Sequence, residues 1–317
     1  MKVVVTGGAG FIGTNLVKCL LEQEHKVICI DNLISGKKEN IQEFLKNPDF
    51  AFVEGNIVNP GVFDKIEGIN QIYNLACPAS PQYYQSQPIE TMKTCFQGMI
   101  NVLETANKCN ARVLQTSTSE VYGDPLVPEQ AESYYGNVNL NGIRACYDEG
   151  KRIAETLCCD YRRIYHTNVT IARIFNTYGP YMRSDDGRVI PNFINSILDD
   201  TEISIYGSGN QTRSLCYVSD MVEGLILLMN SEIEGPINLG NPNELTINVL
   251  ANTLKKQMKS NTMIKHYQKK EDDPQRRKPD IHLAMKELGW YPKVSLEQGL
   301  ERTIAYYKQE RTNIGTP

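Results

Sequence analysis

The sequence holds no apolar run approaching the ~20 residues needed to cross a bilayer, which argues against a membrane-spanning helix. It has no surplus of positive charge. Its 33 Lys and Arg stand against 37 Asp and Glu, a net charge of −4, so the electrostatic footprint of a nucleic-acid-binding protein is missing. The four histidines show no metal-ligand spacing, which speaks against a structural or catalytic zinc. The nine cysteines are scattered and contain no C-x-x-C pair, so we expect reduced thiols in a cytoplasmic protein. The opening "MKVVVTGG" runs straight into a strand pattern and lacks the layout of a signal peptide or anchor.

What remains is ordinary globular composition, 41% hydrophobic and 22% charged, over a length of 317 residues that suits one large or two medium domains. The first half alternates short β-branched runs with longer helical patterns. Strands are expected at 2–7, 26–31, 50–56, 71–76, 112–118 and 168–174, with helices at 12–24, 60–67, 88–109 and 147–166. Strand and helix repeated in this way predict a doubly wound parallel sheet of α/β, Rossmann type, covered on both faces. After about residue 178 the pattern is less regular, with helices near 189–199, 219–231, 247–259 and 295–308. We expect a dinucleotide domain over 1–178 that also uses 215–240, and a smaller domain over 179–317 interleaved with it.

Between the first strand and helix lies "VVVTGGAGFIG", with Gly7, Gly10 and Gly13. Glycines there permit a tight turn and a close approach to a pyrophosphate, which the helix N-terminus then receives. Asp31 ends the second strand, 18 residues beyond Gly13. An acid at that place accepts from a ribose diol and repels the extra phosphate of NADP, so NAD is favoured. "TSTSEVYG" ends a later strand and brings Ser117, Thr118, Ser119 and Glu120 to the edge where ligands bind in such sheets. "RACYDEGKR" places Tyr147 and Lys151 one helical turn apart. A lysine beside a phenol favours its phenolate, so Tyr147 is expected to have a lowered pKa and to act as a base toward an alcohol, with Thr118 holding the same hydroxyl.

Glycine loop, Asp31, strand-end hydroxyl and Tyr147-x-x-x-Lys151 together resemble the extended short-chain dehydrogenase/reductase superfamily, over nearly the whole chain. Within it, "NLACPASP", "STSEVYGDP", "RACYDEGKR", "ARIFNTYGP", "YGSGNQTRS" and "DDPQRRKPDI" are similar to UDP-glucuronate decarboxylases. After Thr118 stands Ser119-Glu120, where 4,6-dehydratases carry Asp-Glu and 4-epimerases small residues. The resemblance implies a redox-neutral conversion of UDP-glucuronate to UDP-xylose, with NAD tightly held and recycled and the two subunits of a homodimer pairing through 88–109 and 147–166.

The resemblance also implies site roles. Gly7, Gly10, Phe11, Ile12, Gly13, Asp31, Asn32, Asn56, Ile57, Leu75, Tyr147 and Lys151 would hold NAD. Asn56 departs from the family's usual Asp and implies an altered adenine contact. Thr118, Glu120, Tyr147, Lys151 and Arg277 would be catalytic. Arg277 serves better as a carboxylate clamp than as a proton donor. Tyr84 (or its neighbour Tyr83) and Ser119 would meet the sugar, Asn176, Arg188 and Arg213 the diphosphate, and Tyr206 the uracil. Arg144 is left without an assigned role. The alternatives are a 4-epimerase or 4,6-dehydratase on the same scaffold, against which Ser119 and Arg277 speak, and a non-catalytic dinucleotide-sensing scaffold, against which Tyr147 and Lys151 speak.

Overall fold

A computed structural model describes residues 1–268 and 277–314, the side chains of 313 and 314 excepted. Six strands of the first half, β1 (Lys2–Thr6), β2 (Lys26–Asp31), β3 (Phe50–Glu54), β4 (Gln71–Asn74), β5 (Arg112–Thr118) and β6 (Val169–Ile174), pair in parallel. Four short strands follow, β7 (Thr177–Tyr178), β8 (Ile203–Tyr206), β9 (Thr212–Ser214) and β10 (Cys216–Tyr217). Next comes β11 (Ile237–Leu239), which returns to the sheet and pairs with β6, giving the order β11-β6-β5-β4-β1-β2-β3. Outside it, β12 (Glu244–Thr246) pairs with β9, β13 (Ile264–Tyr267) with β8, and β10 with β7.

The sheet is buried on both faces because its strands alternate between two cores. Val3, Val5, Tyr73 and Leu114 face one of them, together with Leu16, Val17 and Leu20 of helix α1 (Phe11–Glu22). Val4, Ile72, Val113 and Ile171 face the other, with Val102, Leu103, Ala154 and Cys158. Near-continuous apolar strands are what a parallel sheet covered on both sides requires.

The expected helix over 88–109 is instead preceded by α2 (Pro81–Ser86) and broken into α3 (Pro88–Lys93), a π-helical turn at Thr94–Gly98, and α4 (Met99–Cys109). The wide turn coincides with a close long-range contact. A Cβ on Gly98 would stand 2.6 Å from Ile57 Cδ1, and Asn101 Nδ2 donates to the carbonyls of Ile57 and Val58 at 2.8 and 2.9 Å. The chain makes that close approach while still turning Cys95 inward. Similarly, 60–67 shortens to a 3₁₀ turn at Pro60–Phe63, capped by Asn59. α5 (Ala145–Tyr165) runs where expected. It is followed by α6 (Val189–Leu198), α7 (Val218–Met229), α8 (Ile247–Gln257), α9 (His282–Leu288) and α10 (Leu296–Ile314).

Candidate active site

A cleft of about 750 Å³ opens at the carboxyl edge of the sheet, and every site residue named from the sequence lines it. The β1–β4 neighbours straddle the reversal in strand order, where doubly wound sheets bind ligands.

At one end the wall is mostly backbone. Gly7 has φ +69°, and a Cβ there would stand 2.8 Å from the Leu75 carbonyl carbon. A Cβ at Gly13 would stand 2.1 Å from the Gly7 oxygen, so loop and helix touch directly. The N-cap of α1, Gly10, provides no side-chain acceptor, which leaves first-turn N–H groups for an anion. Asp31 is 7% exposed. It accepts from Ala9 N at 3.0 Å and Leu33 N at 2.8 Å, and burial raises its carboxyl above the usual range against these amides. A cradle that an added Cβ would fill, an uncapped helix end and an acid beyond it fit the dinucleotide NAD. Nearby, Asn56 Oδ1 accepts from Val58 N at 3.0 Å, so part of its acceptor capacity is already engaged by its own loop.

At the middle, α5 lays Tyr147 and Lys151 beneath the end of β5. Lys151 is 4% exposed and its ammonium donates to the Thr116 carbonyl at 2.9 Å. It stands 5.9 Å from the Tyr147 ring centre. The phenol of Tyr147 is hydrogen bonded to Thr118. The expectation of a lowered phenol pKa is corrected here. Burial, and after it the neighbouring Cys77 thiol and the Glu120 carboxylate, hold Tyr147 well above its ordinary value, and the Thr118 bond offsets only part. With its ammonium committed to a carbonyl, Lys151 does not overcome the desolvation of the phenol. Tyr84 stacks flat on Tyr147, rings 4.9 Å apart and 7° from parallel, and its buried hydroxyl has no partner among the described residues.

Beside this pair lies a cluster of four charges. Arg277 donates to the Ser119 carbonyl at 2.9 Å and to Glu120 at 2.6 Å, and Arg144 pairs with the same Glu120 oxygen. Burial would raise the Glu120 carboxyl, but Arg277 and Arg144 hold it below the usual range. Asp148, one residue past Tyr147, is pushed up to about 7 by burial and by the Glu120 charge, against the pull of Arg144 and Arg277. Its Oδ1 has no partner among the described residues, and the same is true of the buried Nε of Arg277. Arg277 is held in place by its neighbours. Gln130, fully buried, exchanges bonds with the Lys278 backbone at 2.9 and 3.0 Å and accepts from Asp280 N at 2.9 Å. Residues 272–276 of the charged segment before Arg277 lie outside the described residues.

At the far end, Arg188 is not free to wait for an anion, since its guanidinium makes a two-pronged pair with Asp186, one arm at 2.7 Å. Arg213 donates to the Thr212 carbonyl at 2.8 Å, and Tyr206 lies 6.0 Å from Tyr267, ring to ring. Asn176 comes from the segment between β6 and β7, and its carbonyl accepts from Cys216 N. Sequence reasoning named Arg144 without a role and passed over Asp148. Their signal was position: they stand four residues apart at the start of the helix that carries Tyr147, Arg144 bonding to Glu120 and Asp148 feeling its charge.

Fold, glycine cradle and Tyr147–Lys151 pair define a dinucleotide-dependent enzyme of the dehydrogenase type. The chain belongs to the NAD dependent epimerase/dehydratase family, whose profile matches residues 3–240. It is 51% identical over 95% of its length to UDP-glucuronic acid decarboxylase 6 of Arabidopsis thaliana, covering 87% of that protein. It is 47% identical over 98% of its length to UDP-glucuronic acid decarboxylase 1 of Xenopus tropicalis, covering 72% of it. Among solved structures it is similar to a UDP-glucuronic acid 4-epimerase from Bacillus cereus in complex with UDP-glucuronic acid and NAD. There the TM-score is 0.87 at 26% identity, over 98% of this chain and 100% of that one.

Proposed function

We infer that the chain converts UDP-glucuronate to UDP-xylose and carbon dioxide with no net change in NAD. One arrangement carries the reading beyond the family. Arg277 is fixed across Ser119 and Glu120 at the sugar end of the cleft, with a buried donor that has no partner among the described residues. When bound, NAD supplies a hydride acceptor for C4 of the sugar, a positively charged ring in the cleft, and the hydride for the return. Gly7, Gly13 and the first turn of α1 would hold its pyrophosphate and Asp31 its ribose.

The residues of the chain supply the rest. Burial holds Tyr147 as a phenol, so to act as base it would first have to ionise, which the positive charge of bound NAD would favour. As a phenolate it takes the proton of the C4 hydroxyl, which Thr118 orients, and later gives one back. A ketone at C4 stands β to the sugar carboxylate, and from that arrangement carbon dioxide leaves with its electrons passing into an enolate. Arg277 clamps the carboxylate, and Arg144 keeps Glu120 ionised beside it. Glu120 places the sugar and the water from which C5 is reprotonated. Arg188 and Arg213 meet the diphosphate, Arg188 by sharing or releasing Asp186.

The test is a mass-resolved assay on UDP-glucuronate with the protein as purified and no added NAD. Carbon dioxide and UDP-xylose are expected, and a product with six sugar carbons would transfer the chain to the epimerases or dehydratases. A homodimer is supported by the exposed Ile89, Met92 and Phe96 on and after α3, and by Ile153 on α5, the helix against which α3 packs. A monomeric mass by light scattering would reject it.

A further inference from the structure

We propose that Cys77 and Cys95 form a thiol-modification site in the floor of the cleft, where a small-molecule disulfide is exchanged for an internal Cys77–Cys95 bond that halts turnover. The bond itself does not depend on the proposed reaction, since only its consequence is read through turnover.

The two Sγ atoms lie 3.5 Å apart, although the residues come from different elements. Cys77 sits in the loop leaving β4 and lines the cleft, partly exposed. Cys95 sits beneath it in the π-helical turn, 4% exposed. One thiol is therefore reachable from the cleft and the other is shielded behind it. The hydrogen bond from Cys95, opposed by burial and assisted by the Lys151 charge, brings the Cys77 thiol down to about 7. That same bond, with burial, keeps Cys95 well above its usual value. An attacking thiol works best with a pKa near ambient pH, so the division of labour follows from position. The third thiol nearby, Cys146, is turned toward the Tyr84 carbonyl at 3.5 Å.

The chemistry balances as two exchanges. The Cys77 thiolate attacks one sulfur of the reagent disulfide, forms a mixed disulfide and expels one thiolate. Cys95, losing its proton, attacks Cys77 Sγ and expels the second. The reagent gains two electrons and the two protons that the cysteines lose, leaving as two thiols.

Closing the bond must bring the sulfurs from 3.5 Å to about 2.05 Å. Cys95 is packed against Gly150 of α5, where a Cβ would stand 3.1 Å from its sulfur, and Gly150 lies between Tyr147 and Lys151. Cys77 follows Leu75 and Ala76, whose backbone atoms lie 2.8 and 2.9 Å from where a Gly7 Cβ would be. The contraction thus pulls on both the proton-transfer pair and the floor of the glycine loop. Misplacement of such groups by about 1 Å costs on the order of a hundredfold in rate.

The experiment treats the purified full chain with oxidised glutathione and maps its peptides without reduction. A Cys77–Cys95 link is expected, with turnover of UDP-glucuronate falling about a hundredfold in step with it and returning on addition of dithiothreitol. Cys95→Ser should keep basal turnover and stop at a stable glutathione adduct on Cys77, while Cys77→Ser should form neither. Glutathione retained on Cys77 of the parent protein, a link to Cys146, no link at all, or a linked protein with full turnover would each overturn the proposal. If UDP-glucuronate is not turned over by the untreated protein, the proposed reaction fails and the peptide map still decides the site.

Discussion

The two ends of the cleft are made of different materials. The glycine-loop end is mostly backbone, with amides of one turn, one helix terminus and the acid Asp31, backed by the segment leaving β4. The sugar end is side chains, with Glu120, Arg144, Arg188, Arg213 and Arg277 delivered from five separate stretches of chain. A backbone cradle is set by the packing of the loop on α1 and on the segment leaving β4, and it cannot be altered without moving the loop. A side-chain cluster depends on charges that hold one another, so replacing one member redistributes the rest. Damage at the first end should therefore remove cofactor and rate together, whereas damage at the second should remove rate and leave cofactor.

The largest effect should come from Tyr147→Phe, which deletes the proton carrier. Turnover should fall about a thousandfold while the NAD extracted per protein chain is unchanged, and lost NAD would break the contrast. Arg277→Lys keeps the charge but not the two-pronged grip on Ser119 and Glu120. A fall of about a hundredfold is expected, again with NAD retained. Gly7→Ala tests the other end. A Cβ at φ +69°, 2.8 Å from the Leu75 carbonyl carbon, should cost about 1–3 kcal/mol of stability and empty the site of NAD. A variant with full NAD content would show that the cradle yields more easily than its contacts imply.

The smallest effect is on pH dependence. Asp148 titrates near 7 in the folded chain, above its ordinary value, so the folded chain holds a proton that the unfolded chain has lost. Its contribution to stability therefore declines as pH rises from the usual aspartate range to about 7, then levels off. Asp148→Asn should raise the thermal midpoint by a few degrees at about pH 8 and by little at about pH 4. An equal shift at both would show that the carboxyl charge is not what costs stability.

The same contrast explains what could be read from the residues alone. β1, β2 and β5, the glycine turn and Asp31 are legible because apolar runs and glycine spacing are local signals. Tyr147 and Lys151 are legible because a helical turn fixes their spacing. The break at Thr94–Gly98 is not legible. It answers to Ile57, some forty residues earlier, and the helical periodicity of 88–109 carries no trace of that contact. Nor is the fate of the charges. The pairing of Arg277 with Glu120 spans 157 positions and leaves no local signal, and Tyr147 reads as acidified until its burial is known. The pairing of Cys77 with Cys95 likewise exists only in three dimensions.

The grip of Gln130 on Lys278 and Asp280 recruits the last charge of the cleft from far along the chain. Arg277 meets Ser119 and Glu120 across sequence separations of 158 and 157, so that corner closes only once the intervening chain has folded back.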